Sequence, residues 1–129
     1  MKSKFEPIIK EAIQFYMDEI ATQDWETPKF EVVREAKWNG RYDLDTNTVY
    51  IKSKENATEF EIAETVLHEM VHWQQFQEGR MSFDESRGLK LRFDNVLYDI
   101  NEDNREALWE VEAHNLESKL LYSFIQYRA

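Results

Sequence analysis

Apolar residues at Ile8, Ile9, Ala12, Ile13, Phe15, Tyr16 and Ile20 recur with the 3.6-residue period of a helix. Ser3 and Glu6 are spaced as a capping box, with Pro7 tolerated in the first turn, so a helix is predicted over residues 3–22. After Pro28 the texture becomes that of strands. Phe30, Val32 and Val33 open a β-prone run to Trp38, Asn39-Gly40 is a hairpin signal, and residues 41–45 return with alternating character. A second turn at Asp45-Thr46-Asn47 leads into Thr48-Val49-Tyr50-Ile51, which completes an expected three-stranded antiparallel meander. From Asn56 or Thr58 a long amphipathic helix follows, with Phe60, Ile62, Ala63, Val66, Leu67, Met70, Val71 and Trp73 on a wide arc and Gly79 placed as its C′ residue. Residues 81–101 are apolar at Leu89, Leu91, Phe93, Val96, Leu97, Tyr98 and Ile100, a spacing compatible with short helix, strand or loop. Over residues 104–127, Trp109, Ala113, Leu116, Leu120 and Phe124 mark a final helix of about six turns.

These elements describe one domain over residues 1–129, since a chain of 129 residues with three Gly, two Pro and no low-complexity stretch offers no linker. Eighteen aromatic residues, four of them Trp, give it enough bulk to build a core. Sixteen basic against 26 acidic side chains leave a net charge of −10, which repels a nucleic-acid backbone, so no nucleic-acid partner is expected. No stretch is apolar enough to span a membrane and no signal-peptide core follows the N-terminus, which points to a cytoplasmic protein. The absence of Cys removes disulfides, thiolate metal sites and thiol nucleophiles, leaving His, Asp and Glu as possible ligands.

The chemistry is concentrated in His68-Glu69-Met70-Val71-His72. In this spacing two imidazoles one turn apart reach a single Zn²⁺ while the Glu stands beside them as general base. On a helical wheel His68 and His72 lie about 40° apart, opposite most of the apolar arc. Two solvated or ion-paired histidines would be the plain structural alternative, but two of the chain's three histidines occupy these positions. A catalytic zinc needs a third protein ligand and an open position. The final helix offers Glu106, Glu110, Glu112 and His114. Glu106 and Glu112 each flank the Trp109/Ala113/Leu116/Leu120 stripe by about 60°, whereas Glu110 and His114 point further from it.

Tyr50-Ile51 before the helix, Thr65-Val66-Leu67-His68-Glu69-Met70-Val71-His72 within it and Glu110-Val111-Glu112-Ala113 downstream resemble the zincin metallopeptidases, in particular small gluzincins similar to the ImmA/IrrE type. The resemblance covers residues 48–120 and implies an α+β fold: a leading helix behind a small sheet, the active-site helix beneath it, and a helical lower half. It implies Glu112, the Glu that immediately precedes Ala, as the third zinc ligand with His68 and His72. It also implies an edge strand, residues 41–45 or 48–51, that pairs with an extended peptide substrate. The expected activity is peptide-bond hydrolysis by a zinc-activated water with Glu69 as general base. The alternative is a zinc-binding domain of the same form that binds a protein partner without cleaving it. Glu61, Asp99 and Glu110 are candidates to orient the imidazoles, and Tyr98, Tyr122 or His114 to stabilise an oxyanion.

Overall fold

The computed structural model describes residues 4–85, 88, 90–99 and 107–129; Ser3 and Glu106 lie outside them. The fold class is α+β: three helices with two small three-stranded sheets.

α1 (Glu6–Phe15) begins behind Phe5 with Pro7 in its first turn and runs on into one π-helical turn, Tyr16–Ile20. It buries Ile8, Ile9, Ala12, Ile13 and Phe15, as its period requires. Three strands follow, β1 (Lys29–Val33), β2 (Gly40–Asp43) and β3 (Thr48–Lys52), in the order β1-β3-β2. The expected antiparallel meander is therefore corrected. β2 and β3 form an antiparallel hairpin, but β1 runs parallel to β3, with Phe30 opposite Val49. β3 takes the centre because Thr48, Val49 and Ile51 are all buried, and a strand flanked on both edges is the place for the most apolar run. Asn39-Gly40 is a strand entrance instead of a hairpin turn. A Cβ on Gly40 would lie 2.7 Å from Thr65 Cγ2 and 3.0 Å from Glu69 Cγ, so the glycine serves close approach of β2 to the next helix.

That helix, α2 (Glu59–Gln77), is capped by Thr58, whose hydroxyl oxygen accepts the Glu61 N–H at 3.1 Å. Gly79, at φ +76°, ends it in the left-handed conformation that only glycine adopts cheaply. α2 packs against α1 and the first sheet through Ile62, Ala63, Val66, Leu67, Met70 and Trp73. Its opposite face, which carries the histidines, is covered by α3 (Leu108–Arg128). α3 contributes Ala113, Leu120 and Phe124 to the same core, with Phe124 5.5 Å from the Phe15 ring.

Of the 81–101 segment, whose Leu89 and Ile100 lie outside the described residues, the described part contains strands. β4 (Met81–Asp84), β5 (Lys90–Phe93) and β6 (Val96–Asp99) form an antiparallel sheet, so the lower half is not wholly helical. The β5–β6 turn is Asp94-Asn95, with φ +49° and +68°, the paired positive angles of a tight hairpin. Met81, Leu91, Phe93 and Trp109 make a second, smaller core under this sheet. Among the described residues no helix is long and apolar enough to cross a membrane.

Phe124 is fully buried at the α1–α3 junction, so Phe124→Ala leaves a cavity and should cost about 3–5 kcal/mol in denaturant unfolding. A loss below about 1 kcal/mol would show that α3 does not share this core.

Candidate metal centre

Helical geometry places His68 and His72 on one face of α2, and α3 brings Glu110 across from them. Glu110 Oε1 lies 3.0 Å from His68 Nε2 and 2.9 Å from His72 Nε2. The two Nε2 atoms are 3.3 Å apart. Neighbouring ligands of a tetrahedral ion with bonds of about 2.0–2.1 Å are about 3.3–3.4 Å apart. The two imidazole nitrogens have that spacing, while Glu110 sits about 0.3–0.5 Å closer, at hydrogen-bond distance, and would move outward by that much to admit an ion. The group His68, His72 and Glu110 can hold a metal ion.

The structure does not bring Glu112 to this point. Its carboxylate accepts from Arg80 Nη1 at 2.8 Å and Arg80 Nη2 at 2.7 Å, and from Gln75 Nε2 at 3.1 Å. The carboxylate beside the two imidazoles is thus that of Glu110, and the expected placement of Glu112 there is corrected. Leu116, counted in the stripe above, is 37% exposed, whereas Phe124 is buried. Exchanging one for the other turns the centre of the α3 stripe by about 20° toward Glu110, which then lies nearer to it than Glu112. The two carboxylates fall on opposite flanks of the helix, one toward the cleft and the other toward Arg80.

Glu69 is buried at 6% exposure, beside the entrance of β2. The backbone of Tyr42 on β2 lies near enough to the Glu69 carboxylate to favour the charged form. In the β2–β3 pair Lys52 donates its N–H to Asn39 C=O at 2.9 Å, and Arg41 faces Tyr50. By the alternation of an antiparallel ladder, the backbone groups of Gly40 and Tyr42 then point away from β3. β2 is therefore the sheet edge at the site, and Thr48–Lys52, the other strand considered, is central.

A cleft of about 600 Å³ opens beside His68 and Glu69, walled by Trp38, Glu64, His114 and Glu117. Past Gly40, Glu69 and Glu110 it continues into a smaller hollow of about 220 Å³ lined by Tyr42, Phe76, Phe83 and Trp109. Of the residues considered for supporting roles, Glu61 is spent at the helix cap, Asp99 pairs with Lys90 at 3.1 Å, Tyr98 packs on Trp109 and Tyr122 is 65% exposed. His114 alone of the three oxyanion candidates lines the cleft. Sequence reasoning missed Glu117, whose Oε2 lies 2.8 Å from His68 Nδ1, and Gln75, whose Oε1 lies 2.8 Å from His72 Nδ1. Glu117 stands two turns after Glu110, a spacing that marks the same helix face. His68, His114 and Glu117 form a second group able to hold an ion, but it shares His68 with the first.

Burial opposes charge on the His68 ring, yet its hydrogen bonds to Glu110 and Glu117 and the charge of Glu69 outweigh this and push its pKa up to about 9. His72 is raised by the same balance, burial against Glu110 and Glu69. Burial pushes Glu69 up, partly offset by the two histidines, while Glu110 is held well below the usual carboxylate range because its bonds to both imidazoles overcome its burial.

Comparison with protein-family models, with curated proteins and with solved structures finds no match to this chain.

Two predictions follow from the geometry. Glu110→Gln should weaken Zn²⁺ binding by at least about 100-fold, while Glu112→Gln should weaken it by no more than about 10–100-fold through its neighbours; chelator competition measures both. The reverse order would restore Glu112 as the ligand. For protein stripped of metal, the raised pKa of His68 contributes stability that is complete below its unfolded value of about 6.5 and is lost as pH rises through about 9. Raised Glu69 acts with the same sign, and depressed Glu110 with the opposite one, its contribution disappearing only in acid. The melting temperature of stripped protein should therefore fall between pH 6.5 and 9, and a flat or rising profile there would contradict the assignment.

Proposed function

We propose that this chain is a zinc-dependent metallopeptidase of zincin type, with His68, His72 and Glu110 as ligands and Glu69 as general base. The observation that carries the proposal is the convergence of two Nε2 atoms and one carboxylate oxygen within 3.3 Å of one another beside a buried glutamate. Two neutral imidazoles and one carboxylate are the ligand set of hydrolytic zinc sites, in which the fourth position stays open.

Zinc held there supplies a Lewis acid that polarises a carbonyl and makes water a nucleophile near neutral pH. The chain's own residues do the rest. Glu69 receives a proton on its carboxylate and passes it to the leaving amine; its raised pKa suits a group that must both take and give. The outward-facing backbone of β2 gives an extended peptide a rail for strand addition directly along the cleft. Space on both sides of the ligand set, one wing polar and the other apolar, suits a substrate that extends in both directions from the scissile bond.

Glu69→Gln keeps the shape and removes the base. The prediction is an unchanged stoichiometry of about one zinc per chain with peptide hydrolysis reduced at least about 100-fold, measured on a mixed peptide library. Bound zinc with equally absent hydrolysis in wild type and Glu69→Gln would instead identify a non-catalytic zinc-binding domain.

A further inference from the structure

Gln75 is 1% exposed, among the most deeply buried polar side chains in the described structure. Burying an amide is tolerated only when its hydrogen-bonding capacity is met, and here the Oε1 and Nε2 groups all have partners. Oε1 faces His72 Nδ1 at 2.8 Å, while Nε2 donates to the Trp109 carbonyl at 3.2 Å and to Glu112 Oε1 at 3.1 Å. Both partners of Nε2 are acceptors, so turning the amide over would set its oxygen against two other oxygens. Its orientation is fixed by its neighbours, and His72 Nδ1 must then be the donor. With its proton on Nδ1 the ring has Nε2 left for an ion; without one, Nε2 also carries a proton and donates to Glu110 at 2.9 Å.

Arg80 holds Glu112 in place. Its guanidinium grips both carboxylate oxygens and also reaches Asp94 in the β5–β6 turn at 2.8 and 3.0 Å. A line of hydrogen bonds therefore runs from His72 through Gln75 and Glu112 to Arg80 and the second sheet. The same amide holds the backbone carbonyl of Trp109, the residue immediately before Glu110. One side chain thereby fixes the tautomer of one donor and the backbone next to another.

We infer that Gln75 is a positioning residue of the metal centre, selecting the Nε2-presenting form of His72 and tying it to the start of α3. The inference rests on the reading of His68, His72 and Glu110 as ligands. His68 is held differently, by the Glu117 carboxylate, so the two imidazoles have separate supports, one charged and one neutral. Loss of the neutral support frees the His72 ring and the Trp109 carbonyl and leaves the His68–Glu117 contact in place.

The test is chelator competition with Zn²⁺ for wild type, Gln75→Leu and the exchanged pair Gln75→Glu with Glu112→Gln, together with proton NMR of the Co²⁺-loaded protein. Gln75→Leu should weaken Zn²⁺ binding about 10–100-fold. The exchanged pair returns an acceptor to His72 Nδ1 and a donor from position 112, but sets an oxygen against the Trp109 carbonyl. It should therefore bind Zn²⁺ more tightly than Gln75→Leu without reaching wild type, and binding no tighter than Gln75→Leu would count against the His72 contact. In Co²⁺-loaded wild type, two shifted imidazole N–H signals should resist exchange with solvent, and the leucine variant should lose that protection for one. The wild-type spectrum decides even if the variant does not fold. Binding within about twofold of wild type in Gln75→Leu, a lower melting temperature with unchanged affinity, or a wild-type His72 coordinated through Nδ1 would each overturn the inference. Absence of Zn²⁺ binding by wild type would instead overturn the ligand reading on which it rests.

Discussion

Glu110 Oε1 sits against two imidazole nitrogens at once, and this three-way approach between α2 and α3 sets the terms for the rest of the molecule. Such a point would be costly if the groups carried no compensating charge or ion, because burial penalises each of them separately. Without metal, the cluster settles by protonating the imidazoles and keeping the carboxylate charged. The same atoms form a group able to hold a metal ion. Apolar packing maintains their approach: Ala113, Leu120 and Phe124 join α3 to the core that α2 shares.

The first sheet serves the centre from the other side. β3 supplies the buried middle, which leaves β2 free at the edge. Gly40 lets that edge come down onto α2, so that the backbone of β2 borders Thr65 and Glu69. A side chain at position 40 would push the strand away from Thr65 and Glu69. The glycine thus couples the position of the prospective base to that of the strand along the cleft, and the polar and apolar wings of the cleft meet at this residue.

Much of this was legible in the sequence. The period of α1 and the arc and caps of α2 mark those helices, and the histidine spacing marks the face of α2 on which the His68, His72 and Glu110 group forms. The hairpin reading of Asn39-Gly40 failed because local turn chemistry lost to packing against α2 and to the demand of the most apolar strand for the middle position. The second sheet was obscured because β4–β6 are short and half-exposed, so their alternation is weak; the Asp94-Asn95 pair was the available signal. Glu112 comes from the family resemblance, as the Glu immediately before Ala, and not from the helical wheel, which leaves Glu106 and Glu112 equal. Counting the exposed Leu116 as core turns the apparent stripe of α3 away from Glu110, the carboxylate that meets the histidines. Gln75 carried no signal in isolation, because its meaning depends on an α3 carbonyl that sequence spacing does not reveal.

Zinc K-edge absorption on the zinc-loaded protein tests the central claim most directly. The account predicts a four-coordinate ion with two imidazole rings and the remaining ligands oxygen, all at about 2.0–2.2 Å. A six-coordinate, fully aquated spectrum, or one showing fewer than two imidazoles, would contradict it.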